Sequence, residues 1–245
     1  MSVSPTSPIP TESYSQWGED RFVWEHFGRR TEGTFFEAGA LHPTKLSQTY
    51  LLEKKGWHGV LVEPVTDLAG EFAKIRPQSK LFHAALGSPE DEGKELAFVV
   101  PANDSLAHLL EPGETPEADS RVIRTRSTTI STVLAEAGVK QLDYLSLDLE
   151  GHELPALHGL DFKRWKPSLI LMEDHLHTLD IHRFLKDKGY QLVFRMGCNN
   201  WYVPAGTTCA FTTPRVRLEL FRKLYLAMPF RKLRIGLKRM RGIKP

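Results

Sequence analysis

Two acids, Glu37 and Glu63, each follow a short β-prone run in the first third of the chain. Glu37 lies in the run 34–40 (TFFEAGA) and Glu63 in the run 60–64 (VLVEP). Strands that end this way place a carboxylate and a turn at the carboxyl edge of a sheet, where open α/β sheets bind ligands. An acid about 20 residues beyond a glycine turn is typical of the group that accepts ribose hydroxyls. The pair predicts a cofactor with a ribose and an amino group.

Each of these residues has a predicted role. Glu37 would accept from a cofactor ammonium, directly or through water, and Gly39 would let a ligand approach the backbone. Glu63 would hold both ribose hydroxyls. The alternative is that both acids are ordinary exposed strand ends, but their spacing on consecutive strands favours the cofactor. The sequence contains neither GxGxxG nor GxxxxGK[ST], so the predicted cofactor lacks a pyrophosphate, and S-adenosyl-L-methionine fits.

A second acidic group follows two later β-prone runs. Asp148 ends the run 142–148, and Glu173 and Asp174 end the run 168–174. Adjacent strands would bring these carboxylates to the same edge, where they would repel one another without a cation. Mg²⁺ or another divalent ion with oxygen ligands is therefore predicted here.

Two histidines near these acids are candidate general bases, because imidazole titrates near neutral pH. His152 follows Asp148, and His175 follows the Glu-Asp pair. In the alternative interpretation the histidines cap or pack, and Glu150 and Glu153 face solvent.

Two further polar clusters are ambiguous. Gln16, Glu19 and Asp20 lie beside Trp17 and are consistent with a binding contact or an exposed helix start with acids near its positive end. The asparagine–aromatic run 199–202 is consistent with a sugar site or a turn and packed strand.

The elements that must position these residues alternate between strand and helix. Predicted strands lie near 33–38, 58–63, 80–85, 142–148, 168–174 and 190–194, and predicted helices near 21–27, 46–55, 66–76, 132–137, 152–158 and 178–188. Residues 201–203 and 207–211 are predicted to form an antiparallel C-terminal hairpin. The region 88–125 holds one candidate strand, 96–100, and a long Pro/Gly/acid-rich segment typical of a lid. The pattern predicts an α/β fold with a doubly wound, mostly parallel sheet.

Composition indicates a soluble protein with one well-buried domain. The 245 residues are 41% hydrophobic and 25% charged, which is ordinary for globular proteins. The start has no basic–apolar signal pattern, and we find no run of 18 apolar residues. A disulfide between Cys198 and Cys209 is the alternative to a pair of free thiols in a reducing compartment, which we expect. These features favour a cytoplasmic location.

The C-terminal residues 214–245 differ from the rest in charge. They contain 11 Lys or Arg and one acid, Glu219, whereas the remaining residues have a net charge of −8. Apolar residues among these bases predict one or two amphipathic helices that contact an anionic membrane surface or an acidic partner. A helix packed on the body and a homo-oligomer contact are alternatives, and no nucleic-acid motif accompanies the bases. We therefore expect an arm (1–12), a main domain (13–213) and this tail (214–245).

The sequence resembles the FkbM family of S-adenosylmethionine-dependent methyltransferases. The matching stretches, within about residues 13–205, are 15–20 (SQWGED), 34–40 (TFFEAGA), 56–64 (GWHGVLVEP), 84–87 (AALG) and 142–153 (LDYLSLDLEGHE). The resemblance implies a Rossmann-like methyltransferase fold with Glu37, Gly39 and Glu63 at the cofactor. It implies methyl transfer to a hydroxyl oxygen, typically of a sugar in a polysaccharide, glycolipid or secondary metabolite. Within the matching stretches we also predict cofactor contacts from Gln16, Ala40, Pro64 and Ala85.

The acids Asp148, Glu173 and Asp174 also look like the magnesium-binding trio of macrolide-sugar O-methyltransferases. The chain departs from the family pattern at residues 40–43 (ALHP), where members often have Asp-Gly, so the cofactor's methionine end is the least certain part. An RNA-directed methyltransferase and a non-catalytic cofactor-binding module remain alternative functions.

Overall fold

The computed structural model describes residues 11–101, 107–110, 113–231 and 233–234. Contacts divide the chain into two compact units, Met1–Ser168 and Leu169–Pro245. Most of the predicted N-terminal arm, part of the predicted lid and the end of the basic tail lie outside the described residues, at 1–10, 102–106, 111–112, 232 and 235–245.

The described residues contain eleven strands and seven α-helices with fully described bounds, and residues 228–231, 233 and 234 are also helical. The strands are β1 (Thr34–Ala38), β2 (His58–Val62), β3 (Ser79–Phe82), β4 (Ala85–Leu86), β5 (Glu95–Val100), β6 (His108–Leu109), β7 (Arg121–Thr128), β8 (Tyr144–Leu147), β9 (Leu169–Glu173), β10 (Tyr190–Met196) and β11 (Asn199–Pro204). The helices are α1 (Glu19–His26), α2 (Tyr50–Lys54), α3 (Ala69–Ile75), α4 (Ile130–Glu136), α5 (Glu153–His158), α6 (Asp180–Asp187) and α7 (Pro214–Phe221).

In the first unit, four parallel strands lie in the order β3-β2-β1-β8. β1, β2 and β8 are short and largely buried, β3 at the edge is partly exposed, and fully buried side chains such as Phe35, Phe36 and Leu145 form the core. Near-continuous apolar runs are typical of parallel strands covered on both faces. The next two strands in sequence extend the sheet on one side of β1, and β8 lies on the other. β1 therefore sits at a topological switch point, where α/β folds bind ligands beyond the carboxyl ends of the strands.

A second sheet in this unit has the order β4-β7-β5-β6. The sequence predicted only one strand, 96–100, in this region, and it is confirmed as β5. The predicted strand 80–85 is divided, because β3 ends at Phe82 and Ala85 begins β4, which pairs with β7. Long antiparallel pairing between β5 and β7 stabilises this sheet.

In the second unit, β11 pairs antiparallel with both β9 and β10. The predicted strand 201–203 lies within β11, but its predicted partner, 207–211, forms no strand. The hairpin joins β10 to β11 through Gly197 and Cys198, with Gly197 at φ +56. Two-residue connections of this kind favour a glycine with positive φ. The α/β architecture, with parallel strands in the first unit and an antiparallel C-terminal hairpin in the second, is otherwise as predicted.

The basic tail begins as a helix. Thr213 Oγ1 accepts from the backbone N–H of Val216 at 3.2 Å, and Pro214 occupies the first turn of α7. A π-helical segment, Arg222–Leu226, continues it. Within the part of the chain that the structure describes, no helix has the length and apolar character to span a bilayer.

Candidate active site

The ends of β1 and β8 meet directly. Gly39 follows β1 with φ +77, and a Cβ atom there would lie 1.9 Å from the backbone oxygen of Asp148. The backbone N–H of Asp148 donates to the carbonyl of Ala38 at 3.1 Å. The glycine is therefore required by the neighbouring strand end, whereas the sequence suggested an approaching ligand. This contact places Asp148 beside the first turn.

Glu63, directly after β2, is buried at 4% exposure. Its Oε2 accepts from the backbone N–H of Leu41 at 2.8 Å, and its Oε1 from that of Val65 at 2.9 Å. Burial raises the pKa of Glu63, and these two hydrogen bonds oppose the rise. A carboxylate has about four acceptor positions, so two remain for hydroxyl donors. Pro64 follows it and is half-buried.

Glu37, in β1, is buried, and its carboxylate accepts hydrogen bonds from the loop before α2. Its Oε1 accepts from the backbone N–H of Gln48 at 2.6 Å, and its Oε2 from the hydroxyls of Ser47 at 3.0 Å and Thr49 at 2.5 Å. Burial raises the pKa of Glu37, and the charge of Arg76 is the main opposing effect. The carboxylate thus holds the loop before α2. A contact between Glu37 and a cofactor ammonium, as predicted from the sequence, would therefore be indirect.

Arg76, at the end of α3, contacts the residues around Glu37, and the sequence analysis did not single it out. Its guanidinium is 1% exposed and donates to Glu53 at 2.5 Å, to Thr49 at 2.8 Å and to the carbonyl of Pro43 at 3.2 Å. It also lies 3.9 Å from Glu37. Arg76 therefore ties α2, α3 and the loop 41–49 together. Its only signal in the sequence was its position directly before Pro77, at the predicted end of a helix.

The unusual exit from β1 is an ordered loop. Leu41 has φ +41, and His42 Nδ1 accepts from the backbone N–H groups of Thr44 and Lys45, each at 3.1 Å. Burial, followed by the charge of Lys45, lowers the pKa of His42. A neutral ring suits its role as an acceptor. His42 thus shapes the loop that presents the Leu41 N–H to Glu63.

The remaining predicted cofactor residues have different surroundings. Gln16 is exposed, in the loop before α1, and Ala40 and Ala85 are buried. His83, which the sequence analysis did not single out, places Nδ1 3.3 Å from the backbone oxygen of Glu63. No described contact tests a cofactor role for these residues.

The polar cluster before α1 is not an exposed helix start. Glu19 and Asp20 are fully buried. Asp20 accepts from the hydroxyls of Ser13 and Ser15 at 2.5 and 2.9 Å and from the backbone N–H of Tyr14 at 2.7 Å. These bonds fold the loop that carries Gln16 around one carboxylate.

The turn after β8 is fixed by Glu153. Its Oε1 accepts from the backbone N–H groups of Leu149 at 2.9 Å and Gly151 at 3.2 Å. The alternative that Glu153 faces solvent is wrong, because the side chain is buried. Glu150 is exposed, with φ +50, and one of its carboxylate oxygens lies within 4.8 Å of one of Asp148. His152 precedes α5 and is half-buried.

In the second unit, Glu173 ends β9 and contacts two neighbours. Its Oε1 lies 3.2 Å from Nε2 of His175 and accepts from the Cys198 thiol at 3.1 Å. His175 is exposed and stacks on His177 with ring centroids 5.7 Å apart. The predicted metal ligands are divided between the units, and their joint role stays a prediction.

The half-buried Asp174 and the buried asparagine–aromatic run 199–202 form one hydrogen-bonded network. Asn200 donates to Asp174 at 3.0 Å and accepts from Arg195 at 2.5 Å. Burial raises the pKa of Asp174. The two aromatic side chains of the run are fully buried. The packed-strand alternative is therefore correct, and the run does not offer a sugar-binding surface.

The parallel sheet, its switch point at β1, and the acids in β1 and directly after β2 and β8 are the features of a Rossmann-like methyltransferase. The profile of the methyltransferase FkbM domain matches residues 37–192. The chain belongs to this family, as its motifs predicted. Membership implies S-adenosylmethionine as the methyl donor.

A comparison with curated protein sequences found no match. Among solved structures, the precorrin-6y C5,15-methyltransferase from Geobacter metallireducens GS-15 is similar, at 13% identity and a TM-score of 0.40, over 84% of this chain and 94% of that one.

Proposed function

We propose that the chain is an S-adenosylmethionine-dependent O-methyltransferase that acts on a sugar hydroxyl of a polysaccharide, glycolipid or glycosylated metabolite. One observation carries the proposal: Glu63 and Asp148 stand at the same edge of one parallel sheet. The turn at Gly39, which touches Asp148, runs directly into Leu41, which donates to Glu63. A cofactor-binding acid and a reaction-centre acid are thus joined by one short loop.

The donor set at this edge fits the cofactor. A ribose offers two hydroxyl donors, and the Glu63 carboxylate keeps acceptor positions beside the Leu41 and Val65 bonds. The loop 41–49 is held from behind by Arg76 and Glu37, so it is preorganised before any ligand binds. S-adenosylmethionine supplies an electrophilic methyl group when it is bound.

Methyl transfer to a hydroxyl breaks the sulfur–carbon bond, leaves its electron pair on sulfur and forms a carbon–oxygen bond. The hydroxyl proton must pass to a base on the enzyme. Asp148 is our first candidate, because its backbone is fixed against Ala38 and Gly39. His152 and His175 are the imidazole candidates. Holding the oxygen in line at near-attack distance would supply much of the acceleration.

A divalent cation would assist the same chemistry by lowering the pKa of the sugar hydroxyl and holding two vicinal oxygens. Asp148, Glu173 and Asp174 would hold it. An all-carboxylate donor set suits a hard cation such as Mg²⁺. This part of the proposal rests on the residue types and on the predicted edge position of the acids.

A methyl-transfer screen over acceptor classes tests the proposal. The full chain is incubated with S-adenosylmethionine labelled in the methyl group, and with oligosaccharides, glycolipids or structured RNA. We expect label in a sugar, in an ether that survives mild alkali. Label confined to RNA, or S-adenosylmethionine binding with no transfer to any sugar, would reject the sugar acceptor.

A further inference from the structure

The helical segment formed by residues 214–231, 233 and 234 has one face that packs against its own unit. Leu220, Leu224 and Met228 are buried, and α7 packs on β10. Arg231 donates to the carbonyl of Leu176 at 3.1 Å. These contacts fix the orientation of the segment within the second unit.

The π-helical segment Arg222–Leu226 keeps that packing face aligned. The buried residues Leu220, Leu224 and Met228 are spaced four apart, which drifts around a regular 3.6-residue helix. The wider π turn absorbs the drift, so all three remain on one side. The side chains on the opposite side consequently form an outward stripe, and at its edge the hydroxyl of Tyr225 lies 3.4 Å from Nε2 of His182.

This outward stripe is unusually apolar. Of the ten large hydrophobic side chains that are exposed within the described residues, six lie in this segment. They are Leu218, Phe221, Tyr225, Leu226, Phe230 and Leu233. Phe230 is 75% exposed and Leu218 is 69% exposed. A concentration of large apolar side chains on one surface element is typical of an interaction site.

Exposed bases lie in the same segment as the stripe. They are Arg215, Arg217, Arg222 and Arg234. The single acid of the segment, Glu219, pairs with Lys223 at 3.0 Å, so the local charge outside that pair is positive. Large apolar residues bordered by arginines match the interfacial region of a bilayer, where acyl chains lie beneath anionic headgroups.

We propose that this stripe docks on the surface of an anionic lipid bilayer. A second copy of the chain is a poorer occupant, because a two-fold contact would bring the arginines of both copies together. Nucleic acid would satisfy the arginines and leave the six apolar side chains in water. A bilayer satisfies both. The inference is independent of the methyl acceptor.

Vesicle co-sedimentation with the full chain tests this inference. One vesicle set is pure phosphatidylcholine, and the other contains phosphatidylglycerol at about a third of its lipid. We expect binding to the anionic set that weakens as salt is raised. Phe230→Ser should weaken it about tenfold through lost apolar burial. The pair Arg215→Gln and Arg222→Gln should weaken it about 25-fold, at about fivefold for each base.

Two matched controls lie in the first unit. Val122→Ser removes another exposed hydrophobic side chain, and Lys163→Gln removes another exposed base; neither should change vesicle binding. Circular dichroism confirms that each variant is folded. Equal binding by the stripe variants and the controls would overturn the proposal. So would a dimer in sedimentation that Phe230→Ser dissociates, or RNA binding that outcompetes the vesicles.

Discussion

A Cβ atom at Gly39 would lie 1.9 Å from the backbone oxygen of Asp148. The turn after the first strand and the end of β8 therefore pack without room for a single additional carbon. Because Asp148 carries the proposed chemistry and the Gly39 turn leads to the Glu63 loop, the two halves of the site share one rigid contact.

Gly39→Ala should therefore be strongly destabilising. The obstructing atom is backbone and cannot move aside, and φ +77 is unfavourable for alanine. We expect a loss of about 2–5 kcal/mol in the free energy of unfolding, measured by urea denaturation. Gly70→Ala is the control, because Gly70 lies in α3 with open space around its Cβ position. It should be neutral or gain about 0.5 kcal/mol. Similar behaviour of both variants would contradict the packing described.

Arg76→Met should cost about 3–5 kcal/mol of stability, because it leaves Glu37 and Glu53 buried without their cation. Urea denaturation at neutral pH measures the loss. The control is Arg183→Ala, which removes an exposed ion pair with Asp180 and should cost less than about 1 kcal/mol. A small effect at Arg76 would mean that the loop 41–49 is held by other contacts.

Cofactor affinity should fall in acid through Glu63. Burial raises the pKa of this carboxyl above its ordinary value of 4.5, and the ionised form is the better acceptor of ribose hydroxyls. As pH falls through the raised pKa, the group protonates and binding should weaken by up to about tenfold per pH unit. Calorimetric titration with S-adenosylhomocysteine from neutral pH downward measures this. Glu63→Gln should bind more weakly and without that pH dependence.

The free energy of folding depends on the protonation of Glu63 in the opposite direction to cofactor affinity. Because the folded pKa of Glu63 is raised, its contribution to stability is fully present below pH 4.5 and is lost as pH rises through the folded value.

A pH profile of cofactor affinity that is identical in wild type and Glu63→Gln would remove Glu63 from cofactor binding.

Asp148→Asn should keep cofactor binding and lose at least about 100-fold in transfer rate, the usual scale for a missing proton acceptor. Asp187→Asn, in an exposed residue at the end of α6, is the matched control and should be fully active.

Excess EDTA should abolish transfer if a cation assists, with recovery on added Mg²⁺. Full activity in EDTA would remove the cation and leave Asp148 as the base to be tested.

The sequence predicted the strands of the parallel sheet because their apolar runs are short and end in acids or small residues. Glu37, Glu63 and Asp148 were located correctly after or within those strands. The partners of Glu37 were not predictable, because they come from a loop fold and from Arg76, 39 residues away in the chain. Tertiary hydrogen bonds of this kind leave no periodic pattern.

The second sheet was missed for a related reason. β7 alternates arginine and β-branched residues, which is also typical of a solvated loop, and its pairing with β5 joins distant segments. The hairpin error came from overlooking the turn at Gly197 and assigning the partner strand to 207–211. Burial of Asn200 beside Arg195 was equally a tertiary outcome, because the polar run alone allowed a surface site.

Recognition of the cofactor ribose by Glu63 is tested most directly by a binding cycle. Wild type and Glu63→Gln are titrated with S-adenosylhomocysteine and with its analogue lacking both ribose hydroxyls. We predict that wild type prefers the natural ligand by at least about tenfold, and that Glu63→Gln loses most of this preference. Equal preference in both proteins would contradict the proposed cofactor site.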